Sequence, residues 1–133
     1  GKVFHAFAKN KEWNKELYED LVAPTFKMDL ACETWQDGQD QMPSYCKPDY
    51  AYDVENVQYV ELPGEGAQAG WKHTDDHSKW CVGANAAKGH VACIGDINRM
   101  SSQAKRGGGT VCSLSDTTFI ANMEGVVNDV AEC

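Results

Sequence analysis

Six cysteines in 133 residues constrain this chain more than any other feature, because its fold must bring sulfur atoms within bonding distance or keep reactive thiols apart. Cys32, Cys46, Cys81, Cys93, Cys112 and Cys133 point to an oxidising compartment, hence to a secreted or lysosomal setting, and sequence alone does not choose among their pairings. The length suffices for one hydrophobic core. No run of about 18 apolar residues is present that could span a membrane, so neither a membrane partner nor a retained signal peptide is expected. Loop-like stretches at 36–50 and 63–70 carry Gly, Pro, Asp and Gln without marking a boundary, so residues 1–133 read as a single domain. The absence of Asn-x-Ser/Thr excludes conventional N-glycosylation of this sequence.

Hydrophobic periodicity predicts a layered α/β unit. Trp13, Leu17 and Leu21 at four-residue spacing predict an amphipathic helix over 11–22. Phe26, Met28, Leu30 and Cys32 alternate with Lys27, Asp29, Ala31 and Glu33, which is strand periodicity. Segments 57–62, 79–83 and 90–95 are further strand candidates. Ser115-Asp116 can cap a final helix whose Phe119, Met123, Val126, Val127 and Val130 form one apolar stripe. Trp35, Tyr45, Tyr50, Tyr52 and Tyr59 could stack nucleobases, but packing is the commoner use of such residues and no site role is assigned to them.

The chemistry concentrates between residues 75 and 112. A histidine two residues before a lysine, His77-Ser78-Lys79, places both side chains on one side of an extended segment, where one phosphate could meet both. Imidazole can attack phosphorus or protonate a leaving alkoxide, and lysine supplies fixed positive charge to the phosphate oxygens; no metal is required. Asn98 in Gly95-Asp96-Ile97-Asn98 would donate an amide N–H to the same oxygens, and Gly95 would let the backbone approach closely. A lone His-x-Lys is common by chance. The competing reading is zinc, since His73, His77 and Cys81 recur every four positions with Asp75, Asp76, His90 and Cys93 nearby. Asp75 and Asp76 read as solvated loop carboxylates, or as groups that tune His77.

The formal charge is −8, which by itself argues against a nucleic-acid binder. Its distribution does not: residues 71–112 hold six Lys or Arg against three acids, while the remainder holds six against 17. Arg99, Lys105 and Arg106 are candidates for DNA-backbone contact, Arg99 and Arg106 alternatively for structural ion pairs. Gly107-Gly108-Gly109 could form an anion-cradling loop or simply a tight loop closed by Cys112. Protonation of histidines and carboxylates at mildly acidic pH would reduce repulsion of DNA.

Taken together, His-Ser-Lys-Trp-Cys-Val, Cys-Ile-Gly-Asp-Ile-Asn-Arg-Met and Lys-Arg-Gly-Gly-Gly-Thr-Val-Cys closely resemble the C-terminal half of the deoxyribonuclease II family, including its two-chain plancitoxin-like members. That family lies within the phospholipase D-like group, whose signature is a His-x-Lys in each of two related halves. The wider group has an aspartate where Ala84 stands here, and deoxyribonuclease II-like proteins generally lack it. The resemblance implies a layered α/β/α sandwich with a mixed sheet. It implies His77 and Lys79 as catalytic, Asn98 as phosphate-positioning, and Trp80 and Gly95 as shaping the site. It implies a metal-independent endodeoxyribonuclease that hydrolyses DNA through a phosphohistidine, with no cofactor and no metal.

The resemblance further suggests disulfides Cys93–Cys112 and Cys46–Cys133, the latter tying down the terminal helix. Cys32 and Cys81 could pair with each other, one could bridge to another chain, or Cys81 could be free. The family scheme needs two histidines at one phosphorus, yet His5, His73 and His90 are not followed by lysine at the second position. The expectation is therefore a second chain carrying the other His-x-Lys, with a homodimer as the less favoured source and His77 as the general acid. The alternative is a catalytically inactive secreted binding, toxin or structural protein of the same fold.

Overall fold

The computed structural model of the chain describes residues 1–46, 51–65 and 67–133; Tyr50 lies outside the described residues. Eight strands among them form one sheet: β1 (Phe4–Lys9), β2 (Leu30–Thr34), β3 (Val54–Glu61), β4 (Gly70–Lys72), β5 (Lys79–Gly83), β6 (Ala92–Gly95), β7 (Gly108–Ser113) and β8 (Val127–Ala131). Their order is β1-β7-β6-β5-β2-β3-β4, and β8 also pairs with β3. The β2–β3 pair is parallel and the other pairs are antiparallel. The expected α/β class with a mixed sheet is borne out.

Both faces of the sheet are apolar because neighbouring residues of its central strands point to opposite sides. Leu30, Cys32, Val54, Cys81, Cys93 and Cys112 face one way and pack with Leu17, Tyr18, Val22 and Ala23. Ala31, Val57, Trp80, Val82 and Ala92 face the other way and pack with Ile120, with Phe119 and Met123 partly buried against them. Helical segments thus cover each side: a π-turn at Tyr18–Val22 running into α1 (Ala23–Phe26) on one, and α3 (Thr117–Glu124) on the other. A short α2 (Ser101–Ala104) follows β6.

Several boundaries differ from the periodicity reading. The first helical segment begins at Tyr18 rather than 11, because Asn14 has φ 54° and the Asn10 carboxamide accepts from the amides of Glu12 and Trp13, folding a separate turn. Left-handed Lys27 (φ 56°) ends it, so the alternation that began at Phe26 becomes strand only from Leu30. The final helix stops at Glu124 before Gly125, and Val127–Ala131 return as β8 on β3. The apolar stripe is partly buried against the core, but β-branched valines after a glycine favour strand, and β3 offers them an edge. Asp116 caps α3 as predicted, accepting from the Phe119 amide at 3.2 Å. The strand over 79–83 is found as read.

All six cysteines pair within the chain. Cys93–Cys112 and Cys46–Cys133 match expectation, though the latter anchors the tail after β8 rather than a helix. Cys32 bonds Cys81, which corrects both the bridge to a second chain through either residue and the free Cys81. The glycine run is likewise not a loose cradle. Gly108 and Gly109 lie in β7 beside β1, and the Gly109 amide is occupied by Asp96 Oδ1 at 2.8 Å. A Cβ on Gly109 would lie 2.0 Å from the Phe7 carbonyl oxygen. Gly109→Ala should therefore push β1 off β7 and cost roughly 1–3 kcal/mol, read as a lower midpoint in urea denaturation with the slope preserved.

Candidate active site at one end of the sheet

Strand pairing gathers the motif residues at a single end of the sheet. Thr34, the last residue of β2, lies opposite Lys79, the first of β5. Trp80 lies opposite Ile94, so the end of β6 at Gly95 falls beside Lys79. Gly95 in turn faces Thr110 of β7, and Lys9 at the end of β1 faces Gly108. His77, Lys79, Asn98, Lys105 and Arg106 all belong to segments that leave or enter the sheet here. Gly95 is needed for this closeness, since a Cβ there would lie 2.5 Å from the Tyr18 hydroxyl and 2.9 Å from the Gly109 carbonyl oxygen.

His77 is exposed and precedes β5 rather than belonging to it. Its ring stacks on Trp35 with centroids 4.1 Å apart and planes 26° from parallel. Among the described residues no group hydrogen-bonds either ring nitrogen. Half-buried Lys79 donates from Nζ to the His77 carbonyl oxygen, which holds its ammonium beside the histidine. Asn98 is buried. Its main-chain N–H donates to Gln103 Oε1 at 3.0 Å, while its side-chain Oδ1 has no partner among the described residues. Thr34 joins the two segments: it sits opposite Lys79, and its Oγ1 accepts from the Arg99 amide at 3.0 Å.

Arg99 does not face the site. It is 0% exposed, donating from Nε to Asn56 Oδ1 (2.9 Å), from Nη1 to Glu16 Oε2 (2.8 Å) and Glu19 Oε2 (3.0 Å), and from Nη2 to the Pro43 carbonyl (2.9 Å). The expected DNA contact by Arg99 is therefore corrected to a buried ion pair, since a guanidinium with its donors engaged out of solvent has none to offer a phosphate. Lys105 and Arg106 are exposed. Their turn is fixed from below by Lys9 Nζ, which donates to the carbonyls of Gln103, Ala104 and Arg106. Removing the Arg99 charge by Arg99→Met should strand Glu16 in the interior and destabilise the fold by about 3–5 kcal/mol, measured by equilibrium denaturation.

Three features of this end were not read from sequence. Three indole N–H groups hold the loop ahead of the motif at alternate residues: Trp35 Nε1 on the Thr74 carbonyl (3.0 Å), Trp71 Nε1 on Asp76 Oδ2 (2.8 Å) and Trp80 Nε1 on Ser78 Oγ (3.0 Å). Asp76 is a structural acceptor rather than a solvated carboxylate. Burial opposes its charge, but bonds from Ser78 and Trp71, with Lys79 nearby, hold its carboxyl below the usual range. Burial lowers the His73 imidazole against the pull of Asp37 and Asp75. Cys81 and Cys93 are oxidised, which withdraws the thiolates the zinc spacing would use.

The third feature is Glu33, opposite Trp80 and 0% exposed, with both carboxyl oxygens lacking a hydrogen-bond partner among the described residues. Burial, then repulsion from Asp76, pushes its pKa up to about 8 against a weaker opposing pull from Lys79. The folded state therefore holds a proton that the unfolded state releases near the ordinary carboxylate range, so stability falls as pH rises from that range through about 8. Glu33→Gln should flatten that fall, read as a smaller difference in thermal midpoint between pH 5 and pH 8.

Comparison with known proteins places this geometry in a family context. The family model for deoxyribonuclease II matches residues 1–133. Similar relatives include deoxyribonuclease-2 of Caenorhabditis elegans, 47% identical over 86% of this chain and 29% of that protein. Plancitoxin-1 of Acanthaster planci is 42% identical over 84% of this chain and 30% of its own length. Cell death-related nuclease 6 of Caenorhabditis elegans is 35% identical over all of this chain and 36% of its own length. The chain thus spans about a third of each of these relatives.

Proposed function

Because the chain belongs to the deoxyribonuclease II family, we propose that it supplies one of two His-x-Lys half-sites of an endodeoxyribonuclease. The observation that carries this reading is the state of His77. It is a solvent-facing imidazole whose ring nitrogens have no partner among the described residues, on a residue whose main-chain carbonyl accepts from the Lys79 ammonium, at the sheet end where the Asn98 segment also emerges. That is what phosphoryl transfer needs from one side of a phosphodiester: a proton carrier, a fixed positive charge and an amide near the phosphate oxygens.

The reaction then runs in two balanced steps without a metal. A histidine of the second half-site attacks phosphorus and forms a P–N bond. The P–O bond to the leaving sugar breaks as His77, in its imidazolium form, gives that oxygen its proton. Neutral His77 next takes a proton from water, whose oxygen attacks phosphorus and displaces the histidine, releasing the phosphate ester. Lys79 and Asn98 hold the equatorial oxygens through both steps. Exposed Lys105 and Arg106 on their braced turn are the DNA-backbone contacts of this chain, and they contribute a sequence-independent, salt-sensitive part of affinity.

The second His-x-Lys comes from another polypeptide segment. Beside the site, the side of β1, β7 and β6 that carries Phe4, Val111 and Ile94 leaves these residues 55%, 47% and 54% exposed, an apolar surface suited to such a partner. All six cysteines are internally paired, so association by this route is non-covalent. Three internal disulfides and these relatives support a secreted or lysosomal setting.

The test is plasmid cleavage by the assembled nuclease and by this chain alone, each with excess EDTA. The assembled protein should cleave at an undiminished rate, His77→Ala should lower kcat by at least about 1,000-fold as for a residue that acts in both steps, and the isolated chain should be nearly inactive. Full activity of His77→Ala would overturn the assignment, and loss of activity with EDTA would overturn the metal-free route. An inactive assembled protein would support the alternative of a non-enzymatic member.

A further inference from the structure

We propose that Trp35 is the positioning residue for His77, its indole face serving as the platform that sets the plane of the reacting imidazole. The proposal rests on the reading of His77 given above and goes beyond it by assigning how that ring is held.

The geometry is specific. The ring centroids lie 4.1 Å apart with planes 26° from parallel, a face-on stack rather than an edge contact. A histidine is usually oriented by a hydrogen bond to one ring nitrogen, which then cannot also exchange a proton with substrate. A parallel stack acts on the ring face instead. Both nitrogens lie in the ring plane, so their N–H and lone-pair directions run along the indole surface rather than into it. Both stay available to the substrate.

The platform is itself immobilised. Trp35 sits between two buried residues, Thr34 and Gln36. Thr34 is paired with Lys79 and accepts from the Arg99 amide, and Gln36 Nε2 donates to the carbonyls of Met42 (2.9 Å) and Arg99 (2.6 Å). The indole N–H holds the Thr74 carbonyl, three residues before His77. Trp71 and Trp80 pin Asp76 and Ser78 on either side of the histidine. The residues around His77 are thus held by three indole bonds, one to main chain and two to side chains, and rotation of the imidazole is limited by the Trp35 face. Because Trp35 and Asn98 are both braced through Arg99, the platform also relates the histidine to the Asn98 segment.

The experiment compares Trp35→Phe, which keeps an aromatic face but loses the N–H, with Trp35→Leu, which keeps apolar bulk and loses the face. NMR of the His77 ring protons reads the stack directly in this chain. These signals should lie upfield in the wild type, stay upfield with phenylalanine, and move to the position of an unstacked histidine with leucine. In the assembled nuclease, leucine should lower kcat by roughly 10- to 100-fold with KM nearly constant, as a small misplacement of a reacting group does, and phenylalanine should recover most of it. Equal kcat in the two variants, or His77 signals that do not move with leucine, would overturn the platform. Should the leucine variant not fold, the phenylalanine variant decides: folded, stacked and active supports the platform, whereas a folded Trp35→Phe as inactive as His77→Ala refutes it. Failure of the functional reading is distinguishable, because an active His77→Ala would leave the NMR result standing.

Discussion

A single buried guanidinium holds the architecture around the candidate site together. Arg99 bonds the carboxylates of Glu16 and Glu19 at the start of the first helical segment, Asn56 on β3 and the carbonyl of Pro43, while its own main chain bonds Thr34, Met42 and Gln36. Burying an unpaired charge is prohibitive, so this arrangement forms as a whole or not at all. Glu16 repeats the logic locally: the oxygen that meets Arg99 also accepts from the amides of Tyr18 and Glu19, capping the turn it begins. The residue before Arg99 is Asn98. A charge with no role at a phosphate thereby fixes the backbone of a residue proposed to have one.

The active end is built by convergence rather than by any one loop. Strand ends of β2 and β6 and strand starts of β5 and β7 meet there, so each side chain of interest sits within three residues of a strand. Groups on such short leads keep their relative positions, which is what a proton donor and a phosphate clamp require. Glu33 adds a different ingredient, an acid kept neutral beneath this end by its surroundings. It couples the integrity of the strand opposite Trp80 to the proton activity of the medium.

What could be read in the sequence depended on whether the information was local. The strand 79–83 was legible because Trp80, Cys81 and Val82 form a short apolar run, and the α3 cap was legible because Asp116 directly precedes the helix. The motif residues were legible as a pattern, His77-Ser78-Lys79 followed by Gly95 and Asn98. The valines at 126, 127 and 130 do pack against the core, partly buried, but Val127 and Val130 do so in a strand rather than a helix, since a short apolar run fits helix and strand equally until a partner edge is known. Arg99 was ambiguous for the same reason: its acids are more than 75 positions away in the chain. Trp35 carried no local signal, because stacking on a ring 42 positions later is a property of β2 lying beside β5. Glycines 108 and 109 look like a flexible loop in one dimension and prove to be where two backbones come closest.

Cys32, Cys81, Cys93 and Cys112 form a single row across the four adjacent strands β2, β5, β6 and β7, each opposite the next. Cys81 therefore has two eligible neighbours, as does Cys93. Bonding the inner two to each other would leave the outer two three strand spacings apart, roughly 14 Å and about twice the reach of a disulfide. Only the pairing at the ends, Cys32 with Cys81 and Cys93 with Cys112, leaves no thiol behind. The row thus works as a parity check on strand order: complete oxidation of the sheet certifies that β2, β5, β6 and β7 have docked in sequence, and a chain that closes the middle bond first is left with two marooned thiols until that bond reopens.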